Sequence, residues 1–212
     1  IDDENLLLEE TESSKELYID ELNIKKIINY VPQSEEMEMA RNYTVLACFL
    51  GMRYESMMEL SKSEIQLSKC GQFYFVHSKQ NKTNTECFVP ILKPVMEIYK
   101  KNEDSFPSFS DNATMNLLIK RLFTEAGIVT KLSITLHTFR CGTKTIPKTA
   151  NNVITTHDFR SSFKSNLADK ISDEVIENIL HPAKKRKTSA KVYDRRDIEA
   201  KAKAFYLELT EK

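Results

Sequence analysis

The stretch Thr155–Tyr193 reads TTHDFRSSFKSNLADKISDEVIENILHPAKKRKTSAKVY. Thr156 is placed to cap a helix opening at His157, and on that helix Arg160, three residues on, shares a face with His157. A short amphipathic helix follows over ISDEVIENIL, with Ser172 as its cap and Val175, Ile176, Ile179 and Leu180 turned inward. Pro182 ends it and leaves His181 free of the helix, its ring able to face a pocket. A basic run, Lys184, Lys185, Arg186 and Lys187, leads to a tyrosine in the setting KVYDRR. An imidazole, a guanidinium, a second imidazole and a phenol in this order suit chemistry on a phosphodiester. A guanidinium binds phosphate oxygens bidentately, and a phenol with a pKa near ~10 needs a base before it can attack.

Two competing patterns are weaker. His137 and Arg140 repeat the His-x-x-Arg spacing, but SITLHTF alternates and CGT is a turn. The segment is therefore expected to be a hairpin, and in a strand residues three apart point to opposite faces. The dipeptide His157-Asp158 resembles the metal-binding pair of certain phosphohydrolases, yet no further His and Asp ligands at suitable spacing accompany it.

Upstream, the chain leans towards helix. With 4 Gly and 6 Pro in 212 residues, it is long enough for one sizeable core. No stretch approaches the ~20 apolar residues of a membrane span, and no apolar leader follows a charged start, so a cytoplasmic protein without membrane partners is expected. Cys48, Cys70, Cys87 and Cys141 are scattered, without C-x-x-C pairs, so neither a zinc site nor a disulfide framework is expected. The zero net charge hides an asymmetry: the first 40 residues hold 12 acids and 3 bases, which leaves 19 of the 31 acids and 28 of the 31 bases to residues 41–212. An acidic lead and a basic body fit a nucleic-acid partner. Residues 1–18, IDDENLLLEETESSKELY, are expected to be an acidic linker or the cut edge of a longer protein, with one domain over 19–212.

A helix is expected over Asp20 to Tyr30, with Leu22, Ile27, Ile28 and Val31 on its apolar side. Ser34 caps a second helix that Gly51 ends, and a short helix through Met57, Met58 and Leu60 follows Arg53. EIQLS, QFYFVHS and TECFVPI, broken by KCG and KQNKTN, predict a small antiparallel three-stranded sheet, with Lys79 and Lys82 near its second turn. Lys93 to Lys101 and a segment capped by Asp111 and stopped by Gly127 are further helices. Ile198 to Leu209 is the last.

Taken in order, Arg53, Lys82, His157-x-x-Arg160, His181 and Tyr193 resemble the catalytic set of the tyrosine recombinases, the phage-integrase family. LGMRYESMMELSKSEIQ resembles the family's first box, with Ser56 where an acid is usual; NKTNTECFVPI resembles the hairpin that carries a catalytic lysine, and HDFR opens the second box. The chain reads Leu-His-Pro at His181 where the family usually has Gly-His. The resemblance implies a mainly helical fold with a three-stranded antiparallel sheet and an extra β-hairpin. It implies that Arg53 and Arg160 bind the phosphate, His157 acts as base, Lys82 protonates the leaving 5′ oxygen with Lys79 as its competitor, His181 hydrogen-bonds the phosphate and Tyr193 is the nucleophile. It further implies a 3′-phosphotyrosine intermediate and no cofactor or metal. The partner is double-stranded DNA, contacted by Lys79, Lys184, Lys185, Arg186 and Lys187, by a homotetramer on DNA that is a monomer or weak oligomer when free. The family's N-terminal DNA-binding domain is not expected within this chain. The overall style resembles integrases of Bacteroidetes-type mobile elements, which would place the protein at the bacterial nucleoid. The alternatives are a type IB topoisomerase-like nicking-closing enzyme and a DNA-binding relative with a decayed site.

Overall fold

Ten of the sixteen residues of the helix Glu35–Leu50 are buried, among them Met37, Tyr43, Leu46 and Leu50, and the domain is built around it. The computed structural model describes residues 11–15, 17–80, 85–138, 142–168, 170–180 and 198–210. The helices are α1 (Glu21–Asn29), α2 (Glu35–Leu50), α3 (Tyr54–Met58), α4 (Lys93–Lys101), α5 (Asn112–Glu125), α6 (Ala150–Val153), α7 (Asp158–Leu167), α8 (Asp173–Leu180) and α9 (Ile198–Thr210). The strands are β1 (Thr11–Lys15), β2 (Ile65–Leu67), β3 (Tyr74–Gln80), β4 (Thr85–Pro90), β5 (Lys131–Thr138) and β6 (Gly142–Thr149). The protein is mainly α, with small antiparallel sheets.

Caps set the helix boundaries where the sequence puts them. Ser34 Oγ accepts from Met37 N, and Gly51, at φ +58°, closes α2 through its N–H to the Ala47 carbonyl. Asp20 and Asp111 cap α1 and α5. The apolar face of α1 differs from expectation: Ile24 and Ile27 are buried, whereas Leu22 is 69% and Val31 71% exposed. Positions 24 and 27 define the face towards α2, and Leu22 lies well around the helix from them.

The expected three-stranded sheet forms in the order β2-β3-β4, with Val76 and Val89 paired and buried. The expected hairpin forms too, Ile134 opposite Ile146. It gains a third strand: β1 pairs antiparallel with β5, with a shift in register between Glu12 and Ser14. The expectation there is an acidic linker or the cut edge of a longer protein, with no strand foreseen. Thr11–Lys15 carries no apolar alternation to mark a strand, and its order comes from backbone pairing with the hairpin edge.

The last helix packs on its own domain. Ala202 and Phe205 are 0% and 1% exposed, Phe205 stacks on Phe163 of α7 (centroids 6.2 Å apart), and Tyr206 stacks on Phe73 (5.1 Å).

Candidate active site

The site is built on two junctions that α2 and α7 bring together. At the first, the left-handed Gly51 turns the chain out of α2 through buried Met52 to Arg53. Arg53 is half-buried, with extended backbone, and its carbonyl accepts from Met57 N at 3.0 Å as α3 begins. Beside it, the Tyr54 hydroxyl donates to the Ser110 carbonyl at 3.0 Å and fastens α3 to the loop before α5.

At the second junction, α7 begins at Asp158. Phe159 is fully buried against Tyr43 and Phe123, which fixes the rotation of the helix. Rotated by one residue from that buried face, Arg160 is half-buried, and its Nη1 donates to the Gly51 carbonyl at 2.7 Å. This bond joins positions 109 residues apart and puts the Arg160 guanidinium at the turn that delivers Arg53. His157 is the exposed residue at the head of α7.

The cap of α7 differs from expectation. Asp158 Oδ2 accepts from both Thr155 N–H and Thr155 Oγ1–H, each at 2.7 Å, while Asp158 N–H returns to the Thr155 carbonyl at 3.2 Å. The reciprocal bracket therefore runs between Thr155 and Asp158. Thr156 instead faces α5, where its N–H donates to Asn116 Oδ1 and its hydroxyl to Asn112 Oδ1, both at 2.9 Å. Nearby in the core, burial pushes the Tyr43 hydroxyl well above the ordinary phenol range.

Further along α7 the chain that leads into α1 is stitched to the helix. The Ile19 N–H donates to Ser162 Oγ at 3.1 Å, Asn166 Nδ2 donates to the Ile19 carbonyl at 2.9 Å, and the Tyr18 hydroxyl donates to Asn166 Oδ1 at 2.7 Å. Lys170 reaches Glu21, whose carboxyl it holds below the usual range.

Of the expected site residues, Arg53, His157 and Arg160 fall in described segments, and the Gly51–Arg160 bond unites the two arginine-bearing turns. Lys79 lies on β3, opposite Glu86 of β4. Lys82, His181, Lys184, Lys185, Arg186, Lys187 and Tyr193 lie outside the described residues, as does Arg140; His137 lies on β5, paired with Thr143. The structure adds Asn112, Asn116, Thr155, Asp158, Ser162 and Asn166 as supports of α7. The pair Asn112 and Asn116 was the available signal: two asparagines four apart at the start of a helix share a face, where residues of higher helix propensity are the usual choice. An apolar cleft of about 270 Å³, lined by Ile24, Ile28, Phe49, Phe163, Leu167 and Leu209 among others, shares no residue with Arg53, His157 or Arg160. It is not where a phosphodiester would sit.

The model of the phage integrase family matches residues 18–197, and the chain belongs to that family. Its fold is similar to the XerH site-specific recombinase in a pre-cleavage complex with its difH substrate (TM-score 0.55, 15% identity, 79% of this chain and 47% of that one). It is also similar to the FLP recombinase in a Holliday-junction complex (TM-score 0.51, 12% identity, 88% of this chain and 49% of that one). The chain thus spans about half the length of these two structures. Comparison with curated proteins finds no match. Among the described residues, no helix is long and apolar enough to cross a membrane.

Proposed function

We propose that this chain is the catalytic domain of a site-specific DNA recombinase that breaks and rejoins strands by transesterification, in the manner of an integrase of a mobile element. The Tyr193 oxygen attacks the scissile phosphorus, the P–O5′ bond breaks, and a 3′-phosphotyrosine forms. The phenolic proton passes to His157, and Lys82 supplies a proton to the departing 5′ oxygen. Arg53 and Arg160 neutralise the non-bridging oxygens, the step at which fixed, always-charged donors help most, and His181 adds a hydrogen bond. Because the phosphotyrosine conserves the energy of the broken linkage, a 5′ hydroxyl from a second DNA end reverses the step without ATP. The DNA-bound form is a homotetramer, and Lys79 with the run Lys184, Lys185, Arg186 and Lys187 tracks the phosphate backbone.

The observation that carries the proposal is the bond from Arg160 to the Gly51 carbonyl, two residues ahead of Arg53. It brings the Arg160 guanidinium, 109 residues on, to the turn that leads into Arg53, near the head of the helix that follows His157. The test is covalent capture on nicked suicide duplexes: Tyr193→Phe should abolish the adduct, and Tyr206→Phe should spare it, since the Tyr206 ring is stacked on Phe73. An adduct that survives Tyr193→Phe would sink the assignment of the nucleophile. Strand exchange between two marked sites, against mere relaxation of supercoiled plasmid, separates a recombinase from a topoisomerase-like enzyme.

A further inference from the structure

The residue immediately ahead of His157 is held by two side chains of the neighbouring helix α5. Thr156 is 7% exposed; its N–H and hydroxyl go to Asn116 Oδ1 and Asn112 Oδ1 of α5, each at 2.9 Å, and Asn116 Nδ2 donates to Asn112 Oδ1 at 3.2 Å. The two amides thereby brace one another. On the other side of His157, Asp158 is locked to Thr155 through its backbone and its carboxylate. An exposed imidazole is therefore carried on a backbone clamped at both neighbours. A solvent-facing surface residue does not need such a mount.

We propose that Thr156, Asn112 and Asn116 are positioning residues for His157, fixing the direction from which its imidazole meets the nucleophile's proton. This rests on the assignment of His157 as the base. Proton transfer needs the heavy atoms within about 2.6–3.2 Å, and a displacement of about 1 Å can cost on the order of 10²-fold in rate. The hydrogen bonds serve placement; Thr156, Asn112 and Asn116 do not touch DNA in this assignment.

The test is single-turnover adduct formation on a nicked duplex, with the maximal rate and the half-saturating DNA concentration measured separately. Thr156→Val, which keeps the shape and loses the hydroxyl, and Asn116→Ala are expected to lower the maximal rate by roughly 10- to 100-fold while half-saturation stays put. Thr156→Ser should restore it. In the double variant Thr156→Val, His157→Ala the rate should equal that of His157→Ala alone, since residues acting through one group are not additive. Should Thr156→Val not fold, Asn112→Ala and Asn116→Ala, on the rim of α5, take its place. If His157→Ala is slow but these variants keep the wild-type rate, or if their loss multiplies with that of His157→Ala, the positioning role is wrong and the base assignment survives. If His157→Ala keeps the wild-type rate, both fall.

Discussion

Replacing Arg160 separates two energies that one side chain carries. In the protein without DNA, Nη1 makes a 2.7 Å charge-assisted bond to the carbonyl of Gly51, itself buried. Such bonds contribute about 1.5–3 kcal/mol, and a buried carbonyl left without a donor costs about 1–3 kcal/mol. Arg160 is half-buried, so solvent screens part of the first figure, and Arg160→Ala is expected to destabilise the free domain by about 1–2 kcal/mol. With DNA bound, the same side chain is assigned to the phosphate, where losing a fixed donor costs about 10²–10³ in rate, or about 2.7–4 kcal/mol. Arg160→Lys divides the two: an ammonium can reach one acceptor at a time and lacks the fork that serves carbonyl and phosphate together. It should regain most of the stability and little of the cleavage. Urea unfolding without DNA reads the first energy, and single-turnover adduct formation at saturating protein reads the second. An alanine variant as stable as wild type, within about 0.5 kcal/mol, would refute the Gly51 anchor; one that cleaves at the wild-type rate would refute the catalytic assignment.

Phe205→Ala should cost about 3–5 kcal/mol, because the ring is 1% exposed and stacks on Phe163 of the same chain; an unfolding midpoint that moves with protein concentration would refute packing within one chain. The Asp111 carboxyl is held below its usual range first by the Thr114 hydroxyl and then by backbone N–H groups. The unfolded chain therefore takes up the proton first, so the stabilisation is full above about pH 4 and is lost as pH falls through the lower folded value. Melting temperature against pH should show a shallower acid limb in Asp111→Asn, and an unchanged limb would contradict this. Burial pushes the Cys48 thiol up to about 12, while the exposed Cys70 thiol is lowered, chiefly by Ser68. Alkylation followed by peptide mass mapping should label Cys70 in the native protein and Cys48 only on unfolding; early labelling of Cys48 would count against its place in the core.

The elements most legible in the sequence were those whose boundary residues have one physical job. Ser34, Gly51 and Asp111 mark ends because caps satisfy backbone groups locally, and the structure puts each where it was expected. The three strands from Ile65 to Pro90 were readable from their β-branched and aromatic content between turns. The strand Thr11–Lys15 was not, because its partner lies more than a hundred residues away at the β5 edge and polar TESSK holds no period. At the site, residue types with distinctive chemistry drew attention to Arg53, His157 and Arg160. Their supports did not: of the two adjacent threonines only Thr155 has a carboxylate three residues on, and it brackets α7, while Thr156, expected as the cap, is taken by Asn112 and Asn116 of α5. Long-range hydrogen bonds of this kind leave no periodic trace.

The fastening of Ile19 to α7 has a mechanical side. Both backbone polar groups of Ile19 are committed to Ser162 and Asn166, and the neighbouring Tyr18 hydroxyl ends on the same asparagine. These anchors lie two and six residues beyond Arg160, about half a turn and under two turns, on a single rod of ten residues. Thr11–Lys15 is paired to the hairpin edge and Ile19 to α7, so the entry to the domain ties the hairpin sheet to the shaft that holds His157 and Arg160 at its head.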